Sequence, residues 1–138
     1  NTQSPQGEFQ VDSDGNSYSL VVTNNRVGIG VSAPTSTLNV SGNVALKMKT
    51  DVISAPTTLS DDYSVKVTGD VTITLPAVAD VKSRIYVIKN VGVGTITIDA
   101  NSSETIDATA TKTLTAKYEA ITLQSDGVEW WIISKYTP

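Results

Sequence analysis

The chain of 138 residues contains no cysteine and no histidine, and methionine and phenylalanine occur once each. Without cysteine there are no disulfide bonds and no thiolate metal sites. Without histidine as well, the common nucleophile–base pairs and zinc sites cannot be built from this sequence. Catalysis would depend on a carboxylate pair, or on a lysine or tyrosine with a shifted pKa. The composition therefore favours a protein that is not an enzyme and that uses no metal or cofactor.

Clustered positive charge and long apolar runs are missing too. The formal net charge is −4, and the ten lysine and arginine residues are scattered, with Lys47 and Lys49 two positions apart. This pattern argues against nucleic-acid binding. No apolar run approaches the roughly 20 residues of a membrane span, and no signal peptide is visible. Because the first residue is Asn1 rather than methionine, we expect a processed or partial chain.

Threonine, valine, isoleucine and serine are abundant, and branched side chains favour strands over helices, which predicts an all-β fold. From Thr50 onwards, turn signals separate alternating apolar stretches about every ten residues, which is typical of a sandwich or barrel. Residues 84–89 carry apolar side chains on both faces and should form a central strand. Asp126–Gly127 should close the last hairpin, and residues 77–83 form a short helical turn at most. The predicted strands span residues 63–67, 71–75, 84–89, 95–99, 104–108, 111–116, 120–124 and 129–134.

The first residues are less regular. Residues 1–7 are interpreted as a flexible lead-in, and residues 9–22 as a hairpin whose turn contains Asp12 and Asp14. These two aspartates resemble the start of a calcium loop. However, glycine is fourth rather than sixth, and Thr23 stands where such a loop has its twelfth-position glutamate. The pattern therefore favours an ordinary turn.

A glycine-rich stretch, residues 25–44, follows a predicted turn at Asn24–Asn25. Its apolar side chains alternate, but Gly, Pro and Asn interrupt them every few residues. Gly28 and Gly30 lack the third glycine and the following helix of a phosphate loop, so we interpret them as points of close backbone approach. The stretch has no evident partner strand within the chain, which predicts that copies of the chain cover one another. The predicted interface residues are Val27, Ile29, Val31, Leu38, Val40 and Val44.

Two sets of motifs resemble bacteriophage tail fibres and related trimeric surface proteins. The first set is Val27-Gly28-Ile29-Gly30, with Pro34, Leu38, Val40 and Gly42-Asn43-Val44. The second set is similar to a module at the ends of phage fibres. It comprises Thr74-Leu75-Pro76-Ala77, residues 84–90 (Arg-Ile-Tyr-Val-Ile-Lys-Asn), residues 92–99 (Gly-Val-Gly-Thr-Ile-Thr-Ile-Asp), Glu104-Thr105-Ile106-Asp107 and residues 124–130 (Gln-Ser-Asp-Gly-Val-Glu-Trp). Together they cover most of residues 20–134.

The resemblance implies a homotrimeric fibre of a virion, in its tail or head, or a related protein of a bacterial cell surface. Residues 1–49 would form the lead-in and an interwound, glycine-interrupted stalk or collar, and residues 50–138 an antiparallel β-sandwich-like tip. Three tips would multiply weak contacts to a host receptor, a glycan or a protein, through avidity. Such fibres often end in a self-cleaving chaperone domain. This chain ends at Pro138, so we expect that cleavage removed that domain or that the fibre trimerises without one.

Aromatic and polar residues near predicted turns are the candidates for ligand binding. Adjacent tryptophans on a strand point to opposite faces, but each shares its parity with an isoleucine, so periodicity does not decide which ring is exposed. Both rings could also be buried between sheets or subunits. Ligand contacts usually lie on loops, here residues 78–83, 101–103 and 125–129. The candidate ligand-binding residues are Trp130, Trp131, Tyr118, Asp126, Glu129 and Asn101.

Two other functions stay open from the sequence. A structural connector or head decoration would have this fold without binding a receptor. A polysaccharide-depolymerising tip would need two carboxylates roughly 5 to 9 Å apart. The candidate pairs are Asp61 with Asp62, Glu104 with Asp107, and Glu119 with Glu129.

Overall fold

A computed structural model describes residues 20–138 of the chain. This part is all-β apart from a 3-10 helix at Val78–Val81, which confirms the predicted fold class and the short helical turn. The chain divides into two compact units, Asn1–Ala45 and Leu46–Pro138. The predicted lead-in and calcium-like turn, and nearly all of the predicted hairpin at residues 9–22, lie outside the described residues.

The first unit contains a three-stranded sheet with the order β1-β2-β3. Its strands are β1 (Val21–Thr23), β2 (Arg26–Ile29) and β3 (Leu38–Val40). β1 and β2 are antiparallel, and Asn24 and Asn25 between them have φ values of 48° and 61°. Two positive φ values define the tight turn that matches strand twist, and asparagine tolerates them well. The predicted turn is confirmed.

The prediction that the glycine-rich stretch has no partner strand within the chain is wrong. β2 pairs with β1 on one side and runs parallel to β3 on the other, with Val27 opposite Leu38. The connecting loop is held by Arg26, whose guanidinium donates to the carbonyl oxygen of buried Pro34. A Cβ on Gly28 would lie 2.4 Å from the Val31 carbonyl oxygen, so this close approach occurs within one chain.

The second unit is built from two sheets. The larger has the order β12-β11-β8-β6-β4, and the smaller has the order β10-β9-β7-β5. β8 lies in the middle of the larger sheet, which confirms the predicted central strand. The strands are β4 (Met48–Ile53), β5 (Thr57–Thr58), β6 (Ser64–Val67), β7 (Val71–Thr74), β8 (Ile85–Asn90), β9 (Ile96–Asp99), β10 (Thr111–Leu114), β11 (Ala120–Ser125) and β12 (Trp130–Tyr136).

One apolar core joins the two sheets. Every second residue of β6 to β9 is buried, as expected for strands that face a core on one side. Tyr86 and Ile88 enter the core from the larger sheet, and Ile73 and Ile98 enter it from the smaller one. Residues 104–108, predicted as a strand, make only two isolated bridges, both at Ile106, to Thr109 and to Trp130. Ile106 therefore packs into the core from a loop, beside the residues that the two sheets contribute.

The predicted antiparallel arrangement is only partly correct. β11 pairs antiparallel with β8 and β12, and β10 pairs antiparallel with β9. The strands β4, β6 and β8 are parallel, however, and so are β5, β7 and β9. The reason is that each connection between consecutive strands from β4 to β9 crosses from one sheet to the other, including those at residues 68–70 and 91–95. Strands two apart in sequence then become parallel neighbours.

Gly94 allows these two crossings to stack against each other. Its φ is +103°, and a Cβ there would lie 2.6 Å from the Gly69 carbonyl carbon and 2.9 Å from the Asp70 nitrogen. The crossings are tied by the Gly69 N–H, which donates to the Val93 carbonyl oxygen at 3.0 Å. Because backbone atoms cannot rotate away, we expect Gly94→Ala to lower the free energy of unfolding by about 2–3 kcal/mol.

Gly69→Ala is the matched control for this prediction. Gly69 also has a positive φ, +86°, but no atom lies within 4 Å of its hypothetical Cβ. Its substitution therefore tests the backbone conformation alone and should lower the free energy of unfolding by about 1 kcal/mol. Urea denaturation of both variants at one protein concentration measures the difference. Equal losses would contradict the close approach at Gly94.

Candidate functional site

The two adjacent tryptophans have different surroundings. Trp130 is 0% exposed and its ring centroid lies 5.6 Å from that of Tyr86, whereas Trp131 is 46% exposed. The expected opposite orientations are confirmed. The indole Nε1 of Trp130 has no hydrogen-bond partner among the described residues. Trp130 therefore belongs to the core rather than to the ligand-contacting set expected from the sequence.

Asp126 holds the ring of Trp131 in place. Its Oδ2 accepts a hydrogen bond from the indole Nε1 at 2.8 Å. Its Oδ1 accepts from the backbone N–H groups of Val128 at 2.7 Å and Glu129 at 2.8 Å, which closes the predicted hairpin. The hydrogen bond from Glu129, followed by those from Trp131 and Val128, lowers the pKa of Asp126. The carboxylate is therefore ionised at neutral pH, and both of its oxygens are engaged.

A cleft of about 300 Å³ lies beside the Trp131 ring. Two of the three loops expected to bind ligand meet here, since the Ser83 N–H donates to the Ser125 carbonyl oxygen at 2.9 Å. The Ser125 hydroxyl in turn donates to the Val78 carbonyl oxygen at 3.2 Å. The cleft is lined by Lys82, Ser83, Gln124, Ser125, Asp126, Trp131 and Ile133.

Lys82 and Ser83 add polar groups to the cleft. Both lie in the predicted loop 78–83, but neither is among the candidate ligand-binding residues. The Lys82 side chain crosses Gly127, where an added Cβ would lie 3.2–3.6 Å from its Cδ, Cγ and Cβ atoms. Within the part of the chain that the structure describes, no carboxylate pairs with Lys82. Ser83 has a φ of +67°, uncommon for a residue other than glycine. Six other described residues besides glycine also have a positive φ, so this conformation alone does not mark a binding site.

The remaining candidate ligand residues lie elsewhere. Tyr118 is exposed, but its ring contacts the Lys89 ammonium at 5.8 Å in a separate cluster. Glu129 accepts a hydrogen bond from the Thr105 hydroxyl at 2.8 Å and anchors a loop. Asn101 is half-buried in a turn. None of these three lines the cleft, which leaves Trp131 and Asp126 from the expected set.

The carboxylates considered for hydrolysis each have a partner of their own. Glu119 accepts from Lys135 and two backbone N–H groups, and Glu104 accepts from the Val78 N–H at 3.1 Å. Asp61 and Asp62 both contact Lys47, and Asp107 accepts from a backbone N–H of β12. Across residues 20–138, no three Asp or Glu side chains come close enough together to hold a metal ion.

Within the same range, no helix has the length and apolar character that a membrane crossing requires. No protein-family model matches this chain, and no curated protein is detectably similar to it. The case for a function therefore depends on the residues themselves.

Proposed function

We propose that this chain is a structural and adhesive part of a trimeric fibre of the bacteriophage type. In this proposal the three chains cover one another's apolar residues, and the tips attach the particle to a saccharide of a host cell surface. The motif resemblance of residues 20–134 suggests the class of protein. The observation that carries the proposal is a run of apolar side chains that a single chain leaves exposed.

This run lies between residues 29 and 52. It contains six of the twelve large apolar side chains that are exposed in the described part of the chain. Leu38 is 60% exposed and Val44 is 64% exposed. Fully burying an exposed side chain of this size contributes about 1.5–3 kcal/mol, and the six side chains are 42–64% exposed, so covering the run would contribute roughly half of that for each residue. The six residues are Ile29, Leu38, Val44, Leu46, Met48 and Val52.

The strand β4 supports the same conclusion. It is one of the two edge strands of the larger sheet, opposite β12, and pairs only with β6. Its Met48 and Val52 are exposed, while Ile53 alone in this strand enters the core. An edge strand with an apolar exposed face is a ready partner for another chain, and monomeric proteins usually protect such edges. In the proposed fibre, neighbouring copies provide this protection.

Sedimentation analysis at micromolar concentration tests the assembly. We expect a trimer of the 14.6 kDa chain, about 44 kDa. The double variant Val44→Asp with Leu46→Asp should dissociate it, because two carboxylates would have to be buried without partners. The control is Val93→Asp with Val128→Asp, which changes two exposed valines in turns outside the run and should leave the trimer intact. A wild-type monomer under these conditions would contradict the fibre proposal.

Adhesion is tested separately on an array of bacterial glycans with the labelled trimer. We expect binding to a subset of glycans, strengthened by three identical sites on one particle. We also expect no release of reducing ends from bound polysaccharide, because the proposed role is attachment. A trimer that binds neither glycans nor cells would instead be a connector. Release of reducing ends would support the depolymerase.

A further inference from the structure

We infer that the cleft beside Trp131 is a subsite for an acidic pyranoside, one sugar residue that carries a carboxylate. This inference rests on the proposed adhesive function and names the chemistry of its ligand. It depends on three features of the cleft: a fixed aromatic face, an ammonium group without a partner among residues 20–138, and a turn that contacts both the ring and the lysine stem.

The aromatic face is the indole of Trp131. Its only polar atom already donates to Asp126, so the ring offers its apolar face to a ligand. Pyranosides present a patch of C–H groups that stacks on such a face, and a ring that is already fixed loses little entropy on binding. The register of β11 and β12 shifts next to Ile133, and this bulge leaves Ile133 in the wall of the same cleft.

The charge of the cleft favours an anionic ligand. Asp126 is ionised, but both of its oxygens already accept hydrogen bonds, so it is engaged within the protein. The Lys82 ammonium has no such partner among the described residues. Lys82 is therefore the charged group of the cleft that can pair with a ligand, and a carboxylate on the sugar is the group that it would bind. Because Lys82 is exposed, we expect the gain to be about three- to fivefold in affinity.

One turn positions both groups. Residues 126–129 bind the Trp131 indole through Asp126, and Gly127 in the same turn supports the stem of Lys82. Lys82 is followed by the strained Ser83, whose N–H is bonded to Ser125. The ring is thus fixed, and the stem of Lys82 lies along the same turn, before any ligand arrives. Such preorganisation reduces the entropic cost of binding.

The experiment is a titration with methyl glucuronide and with methyl glucoside, followed by the NMR signals of the two indole N–H groups. Trp131→Phe identifies which signal belongs to which tryptophan. We expect both sugars to shift the Trp131 signal and not that of buried Trp130, with dissociation constants in the millimolar range typical of single weak contacts. The glucuronide should bind about three- to fivefold more tightly.

Variants assign the roles of the two side chains. Trp131→Ala should weaken both sugars about tenfold, because the stacking surface is lost. Lys82→Gln should remove the preference for glucuronide and leave glucoside binding unchanged. The controls are Tyr118→Ala and Lys117→Gln, an aromatic residue and a lysine outside the cleft, which should bind both sugars as the wild type does.

The possible results separate this inference from the proposed function. An unshifted Trp131 signal with both sugars would overturn the subsite, and equal affinities for the two sugars would overturn its preference for acidic ligands. The oligomeric state is measured on the same samples. A trimer without a Trp131 response would overturn the subsite alone, whereas a monomer would overturn the fibre.

Discussion

Replacement of Trp130 by alanine is expected to lower the free energy of unfolding by about 3–5 kcal/mol. Trp130 is fully buried and its ring packs against that of Tyr86 in the shared core of the two sheets. Truncation would leave a large cavity that β-sheets on both sides cannot close. The backbone bridge between Trp130 and Ile106 would remain, because alanine keeps the N–H and carbonyl groups that form it.

Trp131→Ala is the matched control, since it removes the same side chain from the neighbouring position. This variant loses a side chain that is already partly exposed and one exposed hydrogen bond. We therefore expect its free energy of unfolding to fall by less than about 1.5 kcal/mol. Urea denaturation at a fixed protein concentration measures both variants, because assembly makes apparent stability depend on concentration. Equal costs for the two substitutions would contradict the burial of Trp130.

The second large effect is expected at Glu119. This side chain is buried, and it accepts hydrogen bonds from the Thr115 N–H at 2.6 Å, the Ala116 N–H at 3.1 Å and the Lys135 ammonium at 2.8 Å. Glu119→Ala would leave these donors without their acceptor. We expect a loss of about 2–4 kcal/mol, less than for a fully buried ion pair because Lys135 is partly exposed. Glu119→Gln, which retains one carbonyl oxygen, should lose less.

Glu119 also predicts a pH dependence of stability. Burial alone would raise its pKa, but the hydrogen bonds from Lys135, Ala116 and Thr115 outweigh burial and hold the pKa below its ordinary value of 4.5. Near that pH the unfolded chain binds more protons than the folded one, so stability rises with pH. The contribution of Glu119 is present above pH 4.5 and is lost as the pH falls through the lower pKa of the folded state.

Glu119→Gln tests this dependence by denaturation between pH 3 and pH 7. The wild type should lose more stability than the variant as the pH falls below 4.5. Asp61 and Asp126, whose pKa values are also lowered by hydrogen bonds, account for the dependence that the variant retains. Identical pH profiles for the two proteins would show that Glu119 is not the titrating group.

Strand positions in the second unit could be predicted from the sequence because alternation is a local property. Residues 84–89 show apolar side chains on both faces, and the structure places β8 in the middle of its sheet. The turns at Asn24–Asn25 and Asp126–Gly127 were also recognisable, since these residue types accept positive φ values. Residues 104–108 alternate equally well but follow a loop, because Ile106 is drawn into the core without a continuous partner strand.

The candidate site was only partly predictable. Loops 78–83 and 125–129 were recognised as exposed turns, and Trp131 and Asp126 as chemically suitable residues. Nothing in the sequence indicated that these two loops meet, or that Lys82 lies over Gly127. Tyr118, Glu129 and Asn101 carry equally suitable groups and lie outside the cleft. Long-range strand pairing determines which side chains line the same cleft. No local pattern in a single sequence indicates that pairing.

By itself, the sequence determined the all-β class, the main strands and the chemistry that is available without histidine or cysteine, because these follow from composition and from a period of two residues. Three features depend on long-range packing instead: whether neighbouring strands are parallel or antiparallel, whether Trp130 or Trp131 is buried, and which strands pair with β2. A turn that contains glycine can lead the chain back along the same sheet or across to the other sheet. The packing of the whole core determines which of these two paths is stable.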